Sequence, residues 1–288
     1  VALVYKFIQQ FYSNIEYYIP DRYDEGYGVS KKGIDYAKEA GVKLIIILDC
    51  GIKAIDEIAY AKSLGIDFII CDHHMPDDEL PPAVAILNPK RADDTYPFKH
   101  LCGCGVGFKF MQAFAKNNGI PFARLIPLLD LCAVSIAADI VPVTEENRIL
   151  AFHGLKTLNQ NPSIGLKAII DICGLGGRDI SMSDIVFKIG PRINASGRME
   201  SGRESVDLLV DKDFSHALEK AKHIDSYNDK RKDIDKQMTE DANHIVSRLE
   251  SQRHQSSIVL YDENWKKGVI GIVASRLTEI YFRPTVVL

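Results

Sequence analysis

The sequence has 288 residues, 46% of them hydrophobic, and a formal net charge of −4 at pH 7. This length and composition can bury one or two sizeable cores. The negative charge excludes a global positive field, so a nucleic acid would have to bind in a local basic groove. No run of about 18 apolar residues predicts a membrane-spanning helix. Six scattered cysteines fit a reducing compartment better than a disulfide framework, and we expect a cytoplasmic protein.

Helices and strands alternate through the first part of the chain. The predicted elements, in chain order, are helix 1–12, strand 15–20, helix 28–41, strand 43–51, helix 52–65, strand 66–74 and strand 83–89. The run KLIIILDCG at 43–51 is continuously apolar up to Asp49, as expected of a strand buried on both faces. Strands separated by helices of this length form βαβ units, so the pattern predicts an α/β fold whose parallel sheet has helices on both faces.

The remainder of the chain is mainly helical. Residues 105–175 have helical patterns interrupted by prolines, and residues 211–253 are highly charged and contain neither proline nor glycine. The second pattern predicts a long connecting helix, and residues 256–277 predict a strand, a turn and a helix. We therefore expect a first α/β domain at 1–210, a connecting helix at 211–253 and the beginning of a second α/β domain at 254–288.

Both ends of the sequence interrupt predicted elements. It opens on a helix with no cap before it and closes on RPTVVL, an apparent strand with nothing after it. Because natural domains rarely begin within a helix and end within a sheet, we expect the sequence to be a fragment of a longer protein.

Two neighbouring strands of the predicted sheet end in ionisable residues. The first ends at Asp49, and the second ends at Asp72-His73-His74. Ligands bind beyond the carboxyl ends of parallel strands, so a carboxylate and two imidazoles at this edge predict a divalent-metal site. Taken alone, Asp49 is more often the N-cap of the next helix, and a single buried histidine is usually only hydrogen-bonded. The combination favours the metal site.

Several stretches resemble, in the same order, the motifs of the DHH phosphoesterase superfamily. They are LDCG (48–51), DHH (72–74), SIAADIVPVTEENRIL (135–150), FKIGPRINASGRM (187–199) and GVIGIVASRL (268–277). The sequence is most similar to the single-strand-specific exonucleases of that superfamily. The resemblance implies hydrolysis of single-stranded DNA from its 5′ end in DNA repair and recombination. It also implies two Mn²⁺ ions in the intact parent, with Mg²⁺ as an alternative, and a helicase and a single-strand-binding protein as further partners.

The resemblance also implies roles for individual residues. Asp49, His73 and Asp139 would bind metal, with Asp49 bridging the two ions. His74 would contact the scissile phosphate or hold the attacking water, and Asp72 would orient a neighbouring imidazole, as metal-bound histidine usually requires. Without the resemblance, Asp139 is more simply a turn or helix-terminal aspartate.

A second set of residues would bind phosphate. The resemblance implies that Arg192, Asn194 and Arg198 line a phosphate-binding surface between the domains and that Arg276 recognises a 5′-terminal phosphate. Guanidinium groups and small polar donors suit a sugar–phosphate backbone, although a loop arginine that only forms a surface salt bridge is an equal alternative. On the long helix, four residues are candidates for facing the strand: Tyr227, Asn228, Lys230 and Arg231.

Two expectations limit the activity of this sequence. The first superfamily motif, an Asp-x-Asp-x-Asp-Gly run that supplies two metal-binding aspartates, would precede Val1. We therefore expect this chain to be impaired and to hold at most one cation tightly. The alternatives are a catalytically silent module that binds single strands or acts as a scaffold, and a phosphodiesterase of oligoribonucleotides or cyclic dinucleotides. The GPRINASGR and GIVASR stretches argue against the phosphodiesterase.

Overall fold

The predicted alternation of strands and helices forms a parallel three-stranded sheet. The structure, a computed structural model, describes residues 1–250 and 256–288. The sheet has the order β1-β2-β3 and every neighbouring pair is parallel. Its strands are β1 (Leu44–Leu48), β2 (Asp67–Cys71) and β3 (Ala85–Leu87). The predicted α/β class and parallel sheet are confirmed.

Helices cover both faces of this sheet because successive strand residues point to opposite sides. On one face, α2 (Lys31–Glu39) and α3 (Ile55–Ser63) pack on Ile47, Phe68 and Ile70. On the other face, the alternate strand residues pack against the large core that includes α4 (Gly103–Asn117). Within the described residues, β1 is an edge strand and Leu44 is exposed, so the prediction of a first strand buried throughout was wrong at its start.

The prediction of a strand at 15–20 was also wrong. This segment has no regular secondary structure. The Tyr17 hydroxyl donates to Asp207, and the Tyr18 hydroxyl donates to Glu25 at 2.9 Å. The adjacent Tyr17 and Tyr18 are therefore held by side-chain hydrogen bonds and not by a backbone ladder.

The predicted helical region forms a layer of helices around one large core. Prolines separate α4 from α5 (Leu129–Ala138) and α5 from α6 (Glu145–Gln160) as expected, and α5 is buried on almost every side, which fixes the position of its carboxyl end. The 187–199 stretch, expected as a loop in one alternative, lies largely in a helix. The remaining helices of this layer are α1 (Ala2–Ile8), α7 (Ile164–Ile172), α8 (Met182–Asp184), which continues into a π-helical turn (Ile185–Ile189), α9 (Gly190–Met199) and α10 (Arg203–Leu209).

A single long helix, α11 (Phe214–Glu250), joins this core to a second, smaller one. Its first half contributes Ala217, Ala221 and Ile224 to the large core, and its second half contributes Met238 and Val246 to the small one. The small core also contains β4 (Ile258–Leu260), α12 (Ile270–Tyr281) and β5 (Thr285–Val287), whose strands are parallel. The last predicted residues of the connecting helix, 251–253, lie outside the described residues. No helix in the described ranges combines the length and the apolarity needed to cross a membrane.

Candidate metal centre

The carboxyl ends of β1 and β2 bring three potential metal ligands together. One ligand atom each from Asp49, His73 and His74 lies within 4.8 Å of the others. Asp49 follows β1 with a φ of 67°, a left-handed conformation that is rare outside glycine and turns its side chain away from the strand direction. Asp49 does not cap the next helix, because the N-cap of α3 is Ala54. The structure thus excludes the capping alternative.

His73 is the centre of the cluster. Its Nδ1 lies 3.1 Å from the carbonyl oxygen of Leu101, and a carbonyl can only accept, so Nδ1 carries the proton and donates. The other nitrogen, Nε2, lies 3.2 Å from Asp49 Oδ1 and 3.4 Å from Asp139 Oδ2. A histidine fixed in this way by a backbone carbonyl presents Nε2 to its ligand, which is the usual arrangement of a metal-binding imidazole.

Asp139 reaches the cluster from a different element, the carboxyl end of the buried helix α5. Burial, and then the charge of Asp49, raise the pKa of Asp139, while His73 opposes the shift. A hydrogen bond from protonated His73 to the Asp49 carboxylate would stabilise the imidazolium, and this raises the pKa of His73 despite its burial. Two carboxylates that converge on one imidazole repel each other unless a positive charge lies between them. Carboxylate oxygens with one imidazole nitrogen suit manganese, iron or zinc, so this donor set fits a divalent cation.

Asp72 supports the cluster from beneath. It is 1% exposed and accepts hydrogen bonds from the backbone N–H of Ile52 at 3.0 Å and of His73 at 2.7 Å. Its Oδ1 also lies 2.7 Å from His74 Nδ1. Burial acts to raise the pKa of Asp72, but these hydrogen bonds hold it below its ordinary value. Asp72 therefore stays ionised and fixes the His74 ring.

The strand does not continue through the DHH residues. β2 ends at Cys71, and the Asp72 carboxylate draws the backbone N–H groups of both following histidines toward itself. The His73 and His74 rings therefore lie on the same side, with centroids 4.7 Å apart. Strand alternation, which would place the two rings on opposite sides, does not apply to them because β2 ends before Asp72.

The predicted phosphate-binding residues fall into two groups. Arg192 lies in α9, where its Nε donates to Asp225 at 2.7 Å and its Nη1 donates to the Lys188 carbonyl at 2.9 Å, whereas Asn194 is exposed. Arg198 and Arg276 lie where the two cores meet. Arg198 Nη1 donates to the Gly268 carbonyl at 3.1 Å, and Arg276 Nη2 donates to Asp235 at 2.7 Å.

Two of the four candidates on α11 cannot contact a DNA strand. Tyr227 is 7% exposed and Asn228 is fully buried, and the Tyr227 hydroxyl donates to Glu204 at 3.3 Å. The prediction that they face the strand was wrong, because this part of α11 packs against α9 and α10. Lys230 is exposed and Arg231 is partly exposed.

The sequence analysis missed two residues beside the metal cluster. Arg22, Tyr27 and Asp49 line the same cavity, which has a volume of about 450 Å³. Tyr27 is 72% exposed, and the Arg22 guanidinium lies 5.9 Å from the centroid of its ring. The sequence feature that could have identified Tyr27 is GYG at 26–28. Both glycines have positive φ, which places the aromatic ring at the tip of a turn.

Comparisons with known proteins agree with this geometry. Residues 1–136 match the family model described as the DHH family, N-terminal domain. The RecJ of Bacillus subtilis, a single-stranded-DNA-specific exonuclease, is 40% identical over 281 residues, which are 98% of this chain and 35% of the relative. The Escherichia coli RecJ is 36% identical over 286 residues, which are 95% of this chain and 50% of the relative.

A solved structure is also similar to the whole chain. The crystal structure of exonuclease RecJ bound to manganese superposes with a TM-score of 0.83 at 28% identity, covering 99% of this chain and 72% of the other.

Residues 1–136, which carry Asp49 and His73, are therefore similar to the N-terminal domain of the DHH family. The chain as a whole is similar to RecJ along nearly its entire length. The chain spans between about a third and a half of the length of these curated relatives.

Proposed function

We propose that the full-length gene product containing these residues hydrolyses phosphodiester bonds of single-stranded DNA from the 5′ end, in DNA repair and recombination. The observation that carries this proposal is the convergence of two carboxylates on His73 Nε2, beside a second histidine held by Asp72. Relatives named single-stranded-DNA-specific exonuclease support the choice of substrate.

The donor set would hold a divalent cation, with manganese favoured and magnesium as the alternative. A similar RecJ structure is described as bound to manganese. When bound, such ions polarise phosphoryl oxygens and lower the pKa of a bound water. Asp49 and Asp139 supply carboxylate oxygens from different elements, and the Leu101 carbonyl keeps His73 in the tautomer that presents Nε2.

His74 acts next to that cluster. Asp72 holds its Nδ1, so Nε2 is the nitrogen that contacts the scissile phosphate or the attacking water. The His74 side chain is about half exposed, which gives a substrate access to it. Asp72 thereby positions a catalytic imidazole without touching the substrate itself.

The strand would run along the cavity beside Asp49 and then along the seam between the two cores. Tyr27 offers an exposed ring for stacking a base, and Arg198 and Arg276 offer guanidinium groups for phosphates, with Arg192 and Asn194 on α9 nearby in sequence. Stacking and phosphate contacts need no sequence preference, which suits an exonuclease.

A strand that runs between the two cores would bind at the boundary between two domains. We therefore propose a DHH domain at 1–210, a connecting helix at 211–253 and a C-terminal unit at 254–288. We propose that a helicase and a single-strand-binding protein act with the enzyme, since a substrate that must be single-stranded has to be unwound and kept unpaired. Six free cysteines support a reducing, cytoplasmic location.

The test is digestion of 5′-phosphorylated single-stranded DNA in the presence of manganese, measured on the full-length gene product and on the 288-residue chain. His73→Ala should lower the rate of the full-length enzyme by at least about 100-fold, because it removes the central donor. His216→Ala, which removes an exposed histidine on α11, is the matched control and should leave the rate unchanged.

Three outcomes would reject the proposal. Strand binding without cleavage would indicate a silent binding module. Preference for dinucleotides over long strands would indicate a small-substrate phosphodiesterase. Equal rates for the His73→Ala variant and the parent would show that the cluster is not the catalytic centre.

A further inference from the structure

Asp235 is a deeply buried carboxylate in the middle of the long charged helix α11. It is only 2% exposed, whereas Asp233, two residues earlier on the same helix, is exposed. Removing a carboxylate from water is strongly unfavourable unless charged or polar partners replace the lost hydration. The placement of Asp235 therefore requires partners from the elements packed around α11.

Its charged partners are two arginines, and the Thr239 hydroxyl donates to its other oxygen, Oδ1, at 3.5 Å. Arg276 on α12 donates from Nη2 to Asp235 Oδ2 at 2.7 Å, and Arg231 Nη1, one turn earlier on α11, lies 3.8 Å from the same oxygen. Arg231 Nη2 also donates to the buried Asn228 Oδ1 at 3.3 Å. A single carboxylate oxygen thus joins α12 to α11 and restrains both guanidinium groups.

These contacts leave an excess of positive charge at the seam. Burial, and then the charges of Arg22 and Arg231, lower the pKa of Arg198 on α9, while the charge of Asp235 opposes the shift. Two guanidinium groups therefore contact one buried carboxylate, and a third lies within its electrostatic reach, in a protein whose net charge is −4. Asp235 fixes two of the arginines and leaves the group as a whole cationic.

We propose that Asp235 is a positioning residue for single-stranded DNA: by holding Arg231 and Arg276, it fixes α12 against α11 and directs these arginines, together with Arg198, toward a backbone phosphate. The inference rests on the proposed function, because it needs a strand in the seam. Asp235 itself touches neither the metal cluster nor the DNA. It acts through Arg276, whose side chain is half exposed.

The variant Asp235→Asn separates positioning from charge by the sign of its effect. If Asp235 acted only as a nearby negative charge, its removal would strengthen DNA binding, because phosphates prefer a more positive surface. If Asp235 positions the arginines, the variant loses the charge-assisted hydrogen bond to Arg276 and DNA binding weakens. The two explanations therefore predict changes in opposite directions.

The experiment measures binding of a 5′-phosphorylated oligothymidylate by fluorescence anisotropy, with EDTA present to prevent cleavage, over a series of salt concentrations. We expect Asp235→Asn to weaken binding of the full-length gene product about tenfold and to reduce the salt dependence by about one phosphate contact. The matched control is Asp233→Asn, which removes the same charge from an exposed position and should leave binding equal or slightly tighter.

A double-mutant cycle tests whether Asp235 acts through Arg276. In an Arg276→Ala background, Asp235→Asn should change the affinity by less than about twofold, because the group it positions is already absent. In cleavage assays, Asp235→Asn should raise KM and leave kcat nearly unchanged, a split that general loss of folded protein would not produce.

The failures of the two proposals are distinguishable. If the parent protein does not bind the oligonucleotide, both the proposed function and this inference are wrong. If the parent binds and Asp235→Asn binds as tightly as Asp233→Asn, or if the cycle is additive, only the inference is wrong. Should Asp235→Asn fail to fold, Asp235→Glu keeps the buried charge and displaces it by one methylene group. Unchanged binding by that variant would also reject the inference.

Discussion

Gly103, the first residue of α4, lies directly against the side chain of Asp49. A Cβ at this position would lie 2.6 Å from Asp49 Cγ and 2.7 Å from Asp49 Cβ, and closer still to Oδ1. Real Cβ contacts essentially never fall below 3.0 Å, and ordinary contacts begin at 3.4 Å. Gly103→Ala must therefore displace the Asp49 carboxyl group by roughly 0.4–0.8 Å, and rotation of the carboxylate alone is insufficient because Asp49 Cβ is also too close.

That displacement is large for a metal ligand. Distances in a metal site must hold to within about 0.2 Å, so the variant should lose Asp49 as an effective ligand. We expect the affinity for Mn²⁺ to fall about 10–100-fold, equivalent to about 1.4–2.8 kcal/mol. The helix itself should remain, since alanine favours a helix more than glycine does.

Titration calorimetry with Mn²⁺ measures the effect, and circular dichroism melts confirm that the variant is folded. The matched control is Gly105→Ala on the same helix, where the nearest atoms to the new Cβ are at 3.4 Å, an ordinary contact. Gly105→Ala should bind Mn²⁺ as the parent does. A folded Gly103→Ala variant with the parent's affinity, or an equal loss in both variants, would refute the argument that Asp49 needs this close approach.

Three further predictions concern other parts of the structure. Tyr27→Ala should weaken single-strand binding by about 1–3 kcal/mol in an anisotropy titration, whereas Tyr27→Phe, which keeps the ring, should not. Burial raises the pKa of Asp130 above its value in the unfolded chain, so the stability of the parent falls as the pH rises from about 4 through the folded pKa. In thermal melts, the melting temperature of Asp130→Asn should lack this pH dependence, so it should rise relative to that of the parent as the pH increases. A difference in melting temperature that stays the same at every pH would contradict the argument. Gly154→Ala should destabilise the fold by about 1–3 kcal/mol in urea unfolding, because its Cβ would lie 2.8 Å from Ala133 Cβ and 3.0 Å from the carbonyl carbon of Leu129.

The sequence was sufficient to predict the sheet and the residues at its edge. Continuous apolar runs locate β1 and β2, and the polar residues that follow them must then meet at the same end of a parallel sheet. The contribution of Asp139 depended on family resemblance, because nothing local distinguishes it from an ordinary residue at the end of α5. Its distance of 3.4 Å from His73 results from helix packing, which periodicity alone does not specify.

The pairing of side chains that are distant along the chain could not be predicted from the sequence. Asp235 and Arg276 are 41 residues apart, and no pattern along α11 distinguishes this buried aspartate from the exposed ones. Tyr227 was expected at the DNA for a similar reason, because a charged helix gives little indication of which face is covered. On a helix that packs against two cores, the covered face differs between its two halves, and this depends on elements distant in sequence.

Each of the two carboxylates of the metal cluster lies at a turn that contains a residue with left-handed backbone conformation. Asp49 has a φ of 67°, and Ile140, immediately after Asp139, has a φ of 52°. Left-handed backbone costs a residue other than glycine of order 1–3 kcal/mol, so both turns persist only because the surrounding core determines them. The core that fixes β1 and α5 therefore also stabilises two strained turns, which hold both carboxylates within 3.4 Å of one imidazole nitrogen. The backbone strain at the metal site is thus offset by packing elsewhere in the fold, and the positions of both carboxylates depend on the large core and not only on the residues of the site.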